Sequence, residues 1–166
     1  MVQNGDYVDV TEQDFGPDKR RDFLMDFMER KTQAKEPFVA YWPIVIPHGP
    51  YSTTPDFGEP MDIERTKPDV KGLPKEEKER VMAEHDARQA LRFKHLIQYM
   101  DTLIGQLMTK AQDLGIYENT YFIFCSDNGT ATTAKDRGVE RGVHVPYVVR
   151  GPGIKKRGLV NALTDF

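Results

Sequence analysis

Cysteine is nearly absent from the sequence: Cys125 stands alone, which excludes an internal disulfide framework. Excess positive charge is absent too, with 23 Lys and Arg against 26 Asp and Glu and a formal net charge of -3. Without a basic field, a nucleic-acid partner is not expected. No apolar run approaches the length of a membrane span, and mean hydropathy is -0.60. Met1 to Asp6 carries neither a basic region nor an apolar one, so no secretory leader is expected in these residues. No internal repeat is evident. What remains is a 166-residue chain long enough for one domain with a sizeable core.

Proline is unevenly spread, and its distribution organises the chain. Residues 1–16 are polar, with Tyr7, Val8 and Val10 as the strand-like positions. Pro17 and Asp18 suit the first turn of a helix, and Phe23, Leu24, Phe27 and Met28 recur at helical spacing, so a helix is predicted over 18–33. Residues 37–46 read as a strand interrupted by Pro43. Six of the eleven prolines then fall within 47–76, which reads as a long loop with no regular element. From Lys75 to Leu114 there is no proline and one glycine. Phe93, Leu96, Ile97, Met100, Leu103, Ile104, Leu107, Met108 and Ala111 predict one long helix with an apolar core stripe, stopped by Gly115.

Strands are predicted at 120–125, a buried one, and at 143–150, separated by a loop over 129–142. Lys155, Lys156 and Arg157 read as a solvated turn. Helix, strand, loop, helix, strand, loop, strand is an α/β order. It predicts a mainly parallel sheet flanked by helices, with 1–36 as an N-terminal helix region, 47–76 as a substrate-side loop and 77–166 as a helix followed by site-bearing strands.

Chemistry concentrates at three loops that follow or precede strands. Pro47-His48-Gly49-Pro50 holds an imidazole between two prolines, suited to contacting an anion or giving up a proton. Ser126-Asp127-Asn128-Gly129 places a carboxylate and an amide oxygen at a strand's C-terminal edge, where α/β sheets bind ligands and where a hard cation would find oxygen donors. The same residues also suit a plain Asn-Gly turn. Lys135 offers a point charge for an anionic group. His85 is expected exposed near the start of the long helix, His95 as a packing or surface histidine, and Cys125 as an inert core thiol.

Taken in order, these motifs resemble the sulfatase family of the alkaline-phosphatase-like superfamily. The resemblance rests on Pro37-Phe38-Val39-Ala40-Tyr41 leading to Pro47-His48-Gly49-Pro50, on Tyr99-Met100-Asp101 with Ile104-Gly105, and on Leu114-Gly115 with Asn119-Thr120. It continues through Ser126-Asp127-Asn128-Gly129, Lys135, Glu140 with Gly142, Val145-Pro146, Gly151-Pro152-Gly153 and Leu163-Thr164-Asp165-Phe166. It implies that Asp127 and Asn128 are ligands of a divalent ion, calcium in most sulfatases. His48 and Lys135 would bind the sulfate group or assist the leaving oxygen. It implies a sulfate-ester small molecule or sulfated glycan as substrate, and a periplasmic or secreted parent enzyme.

The family makes its formylglycine nucleophile within Cys/Ser-x-Pro-x-Arg, and the sequence contains no such motif. Paired acidic metal ligands upstream of that motif have no match in residues 1–36 either. The expectation is therefore a partial sulfatase catalytic domain with little turnover of its own. Two other readings stand beside it: a non-catalytic remnant or sulfated-glycan-binding domain, and a phosphatase or phosphodiesterase of the same superfamily. The latter typically uses two transition metals with several Asp and His ligands.

Overall fold

A computed structural model describes residues 1–64, 66–129, 135, 138–155 and 158–160. The chain divides into two compact units, Met1–Leu114 and Gly115–Phe166.

The first unit opens with a small hairpin that the strand-like residues alone did not disclose. Strands β1 (Val2–Gln3) and β2 (Asp6–Tyr7) pair antiparallel. Asn4 and Gly5 turn the chain with φ of 54° and 94°. Positive φ at both central positions is what a two-residue hairpin turn requires, and Asn-Gly is the pair that adopts it most readily.

Helix α1 spans Gly16–Gln33, close to the predicted 18–33, with Pro17 in its first turn and Leu24 and Met28 buried. Helix α2 spans Lys75–Asp113, with Glu76 and Glu77 at its N-terminal end and Gly115 beyond its C-terminus at φ 71°. Acidic residues oppose the positive end of the helix dipole, and glycine takes the left-handed conformation at no steric cost. Cross-links join Tyr99 to Asp18, Gln106 to Arg21 and Lys110 to Glu29. These pairs climb together along both helices, so α1 runs beside the C-terminal half of α2 in the same sense. Leu96 and Leu103 are fully buried and form a cluster with Ile46, packed over by Phe15, Trp42, Ile44, Tyr51, Tyr99 and Met100. The predicted stripe is only partly covered, since Phe93 and Ile97 are each 39% exposed.

Residues 37–46, predicted as a strand, carry no strand ladder. Pro37 and Pro43 lack the N–H that a ladder needs, and Ile44 instead donates to the Trp42 carbonyl at 2.8 Å. The proline-rich loop is organised by threonine rather than by regular structure. The Thr53 hydroxyl donates to the Pro60 carbonyl and accepts from the Asp62 amide, while the Thr53 amide donates to the Asp62 carbonyl. One antiparallel bridge, Ser52 to Ile63, results. Thr53 and Thr54 are buried, and each hydroxyl finds a partner within the loop, Thr54 donating to Asp56 at 2.6 Å.

In the second unit a 3-10 turn at Tyr117–Asn119 leads into β3 (Phe122–Cys125). A short helix α3 (Glu140–Val143) precedes β4 (Tyr147–Arg150), and β3 and β4 pair antiparallel with Phe122 opposite Arg150 and Cys125 opposite Tyr147. The predicted strand 143–150 therefore begins four residues later. Pro146 has no N–H for the ladder, and Glu140–Val143 closes a helical turn instead.

The mainly parallel sheet expected from element order is not found among the described residues. The two sheets have two strands each and both are antiparallel. With no ladder at 37–46, the described residues offer no helix-linked pair of strands from which a parallel sheet could be built. The expected burial of 120–125 also fails: Tyr121 and Ile123 are 59% and 60% exposed, and Cys125 is exposed rather than a core thiol. A two-stranded sheet covers neither of its own faces, so the apolar run alone does not bury itself. Of the basic turn, Lys155 is exposed, while Lys156 and Arg157, like Leu163-Thr164-Asp165-Phe166, lie outside the described residues.

Candidate functional site

The strand end and its neighbours belong to the second unit. Asp127 and Asn128 follow β3 directly. Ser126 keeps the ladder going for one more step, its amide donating to the Pro146 carbonyl at 3.4 Å, and its hydroxyl donates to the Asn128 carbonyl at 2.9 Å. Gly129 then donates its amide to the Gly142 carbonyl at 2.9 Å. The approach is so close that a Cβ on Gly129 would lie 1.8 Å from the Arg141 carbonyl oxygen, which is why glycine stands there. The strand end is thus tied on one side to β4 and on the other to α3.

This anchoring leaves the oxygen donors free. Asp127 is exposed and its carboxylate has no hydrogen bond or ion pair among the described residues. Asn128 donates through Nδ2 to the Gly129 carbonyl at 2.8 Å, which directs its Oδ1 away from that contact and leaves it open. A carboxylate and an amide oxygen are hard donors of the kind calcium takes. The set fits in kind but not in number. Calcium takes about six to eight oxygens, and no group of three or more His, Cys, Asp or Glu side chains suited to a metal occurs among the described residues.

Lys135 lies at an exposed turn between Gly129 and Gly142, the two ends of a segment closed by their hydrogen bond. His144 pairs through Nδ1 with Glu140 at 2.9 Å across the turn of α3, an exposed contact that contributes little.

His48 belongs to the first unit. Its amide donates to the Val45 carbonyl at 2.9 Å, and its Nδ1 meets the Gly49 carbonyl at 2.5 Å. A carbonyl accepts only, so Nδ1 carries the proton and the exposed Nε2 is the nitrogen available to a ligand. The peptide bonds Ile46-Pro47 and Gly49-Pro50 are both cis, so the histidine stands on a tight turn framed by two proline rings.

The chain next to this turn is held by a residue that no motif marks. Arg92 of α2 is buried, donating to the Tyr51 carbonyl at 3.3 Å and to Asp62 at 3.0 Å, with Glu64 at 3.9 Å. The available signal was its spacing: Arg92, Leu96, Tyr99 and Leu103 fall on one helical face. His85, expected exposed, is 7% exposed because the proline-rich loop folds over it. His95 does pack, edge-on to Phe57 with ring centroids 4.7 Å apart. Further along α2, burial and the Asp18 carboxylate push the Tyr99 phenol well above its ordinary pKa.

Comparison with known proteins places these features in a family. Over 120 residues the chain is 28% identical to N-acetylgalactosamine-6-sulfatase of Canis lupus familiaris, a match covering 71% of this chain and 18% of that protein. It is 39% identical over 61 residues to an arylsulfatase of Chlamydomonas reinhardtii, covering 33% of this chain and 9% of that one. It is 24% identical over 170 residues to the extracellular sulfatase SULF-1 homolog of Drosophila melanogaster, covering 90% and 15%. The chain therefore spans less than a fifth of the length of these relatives. No solved structure matches. The Sulfatase family model matches residues 5–165, a span that holds His48, Asp127, Asn128 and Lys135 alike, and the chain belongs to the sulfatase family.

Proposed function

We propose that this chain carries part of the catalytic machinery of a sulfate ester hydrolase. In this reading Asp127 and Asn128 contribute two ligands to a calcium ion, and His48 and Lys135 serve the sulfate ester. The observation that carries the reading is the strand end itself. Among the described residues Asp127 and the Asn128 Oδ1 have no partner, on a turn pinned at Ser126 and Gly129.

The chemistry follows from charge. A sulfate ester gathers negative charge on its nonbridging oxygens and on the departing alcohol oxygen as the S–O bond breaks. Calcium, when bound, neutralises charge on the sulfate oxygens. The Lys135 ammonium opposes the same charge. His48 holds its proton on Nδ1 against the Gly49 carbonyl, so a second proton on Nε2 is the one it can pass to the leaving oxygen. The family's formylglycine would supply the nucleophile, and no Cys/Ser-x-Pro-x-Arg occurs in this sequence. The single carboxylate-amide pair with a lysine favours this form over a two-metal phosphatase or phosphodiesterase. The relatives are named for sulfatase activity on N-acetylgalactosamine-6-sulfate, on aryl sulfates and outside the cell, which supports sulfated sugars or small sulfate esters as substrates and an exported parent enzyme.

Calcium titration of the chain by calorimetry tests the metal half of the proposal. Weak binding is expected, with Kd on the order of 10⁻³ M as for calcium sites poor in charged ligands, and it should vanish in Asp127→Ala. Binding that survives Asp127→Ala removes the assignment. An aryl sulfate assay tests the rest: residues 1–166 alone should show no turnover. Turnover at the rate of an intact sulfatase would refute the need for a formylglycine.

The exposed His48 and Lys135 also suit a second reading, a sulfatase-like domain that binds sulfated glycans without cleaving them. Calorimetric binding of a sulfated sugar with no release of sulfate supports that reading.

A further inference from the structure

The turn that carries His48 also forms one wall of a pocket whose residues the catalytic reading does not use. Gly49 and Pro50 meet α2 across an opening of about 270 Å³, lined further by Tyr51, Glu64, Lys67, His85 and Gln89. Ligand pockets generally start near about 300 Å³, so this one suits a single ring-sized group rather than an extended chain.

Its lining is mixed in a way that matches a sugar. Tyr51 and Pro50 give an apolar wall, and the Tyr51 ring packs against Phe93 with ring centroids 5.4 Å apart. Two of the polar groups already have partners in the chain. Gln89 donates to Glu64 at 2.8 Å, leaving its own amide oxygen open. His85 is 7% exposed and its Nδ1 contacts Asp86 at 3.2 Å, while its Nε2 has no hydrogen bond among the described residues.

The charge balance adds selectivity. Glu64 is the carboxylate in the lining, and one of its oxygens already faces Gln89 together with Arg88 at 3.6 Å and Arg92 at 3.9 Å. Its charge is largely answered. Lys67 is exposed and has no ion pair among the described residues. Among the described residues of this rim, Lys67 is therefore the cation left without a counterpart.

We propose that this pocket is a sugar subsite next to His48, in which Lys67 selects rings bearing an anionic substituent, a carboxylate or a second sulfate. The proposal rests on the sulfate-ester reading for its place in catalysis, but the pocket's own chemistry can be tested apart from it. An unsulfated uronic-acid disaccharide offers no ester to cleave, so a change in its binding caused by Lys67→Ala reports on the pocket and not on sulfate-ester chemistry.

The test is calorimetric titration of the full chain with three probes: an unsulfated uronic-acid disaccharide, a neutral disaccharide of the same linkage, and a disulfated disaccharide. Both anionic probes should bind more tightly than the neutral one, and Lys67→Ala should weaken them about three- to tenfold while leaving the neutral probe unchanged. Lys67→Arg should retain the preference. Preference for the uronate alone, or for the disulfated sugar alone, identifies which anion is read. Lys67 is a surface residue, so its replacement leaves the fold intact, and circular dichroism checks this. Equal binding of anionic and neutral probes, no binding of any, or a preference unchanged in Lys67→Ala overturns the proposal.

Discussion

Replacing Gly129 with alanine would set a methyl carbon 1.8 Å from the Arg141 carbonyl oxygen, 2.8 Å from its carbon and 3.2 Å from the Gly142 Cα. A carbon and a carbonyl oxygen rest at about 3.3 Å, so one backbone must retreat by about 1.5 Å. No side-chain rotation relieves the clash, because every atom it meets is main chain. The retreat breaks the 2.9 Å hydrogen bond from the Gly129 amide to the Gly142 carbonyl. Overpacking costs about 1–3 kcal/mol and the lost bond about 1 more, so about 2–4 kcal/mol of local stability should go. Amide exchange in β3 and β4 reads this directly, since exchange of protected amides follows the free energy of local opening. The expected acceleration is about 30- to 1,000-fold. Fluorescence of Trp42, the one tryptophan, lies in the other unit and should report an unchanged unfolding midpoint there. Gly138→Ala is the control, because a Cβ there meets nothing within 4 Å. Exchange in Gly129→Ala within twofold of the parent chain would refute the claim that this contact holds the strand end.

Leu96→Ala, at a fully buried position, should destabilise the first unit by about 3–5 kcal/mol in urea titrations followed at Trp42, whereas Ile97→Ala, one residue on and 39% exposed, should cost well under half of that. Tyr99 has its pKa raised in the folded state by burial and by Asp18, so it keeps its proton when folded and releases it more readily when unfolded. Its contribution is fully present below the ordinary tyrosine pKa of about 10 and is lost as pH rises beyond it. Unfolding midpoints measured between pH 8 and 11 should therefore fall less steeply in Tyr99→Phe, and identical slopes would count against the shift. Arg92→Met removes the contacts to Tyr51 and Asp62 and should loosen loop 51–64 by about 2–3 kcal/mol, read as faster limited proteolysis within it; unchanged cleavage would show that the threonine bonds suffice.

Helices were the legible part of this fold because their signal is local. Pro17, the spacing of Leu24 and Met28, the proline-free run after Pro74 and the stop at Gly115 each act within a turn or two of the residue that carries them. Strands depend on a partner that the same residues do not specify. The segment 37–46 is rich in strand formers, yet its prolines remove donors and no partner lies alongside among the described residues, so it stays extended without a ladder. β3 was located correctly, but its direction relative to β4 depends on how the intervening residues return the chain, which an apolar run cannot encode. The Asn4-Gly5 hairpin was readable in principle, since that dipeptide selects the turn by itself.

The site shows the same division between what residue type dictates and what only packing reveals. Asp127 and Asn128 declared oxygen donors through chemistry alone. Their availability is a separate matter: it depends on Gly129 lying against α3 and on the Asn128 amide spending a donor on the Gly129 carbonyl. His48 was conspicuous for the prolines around it, yet what fixes its free nitrogen is the Gly49 carbonyl, and what holds the next turn of chain is Arg92, forty-one residues beyond Tyr51. A buried arginine with ligands on a proline-rich loop stiffens that loop by charge-assisted bonds that no helix or sheet supplies. Loop 51–64 can therefore present Tyr51 and Glu64 in a set arrangement although it contains almost no regular structure. The same arginine links the turn after His48 to the rim of the neighbouring pocket, so a ligand seated in the pocket is held by the chain segment that presents the histidine.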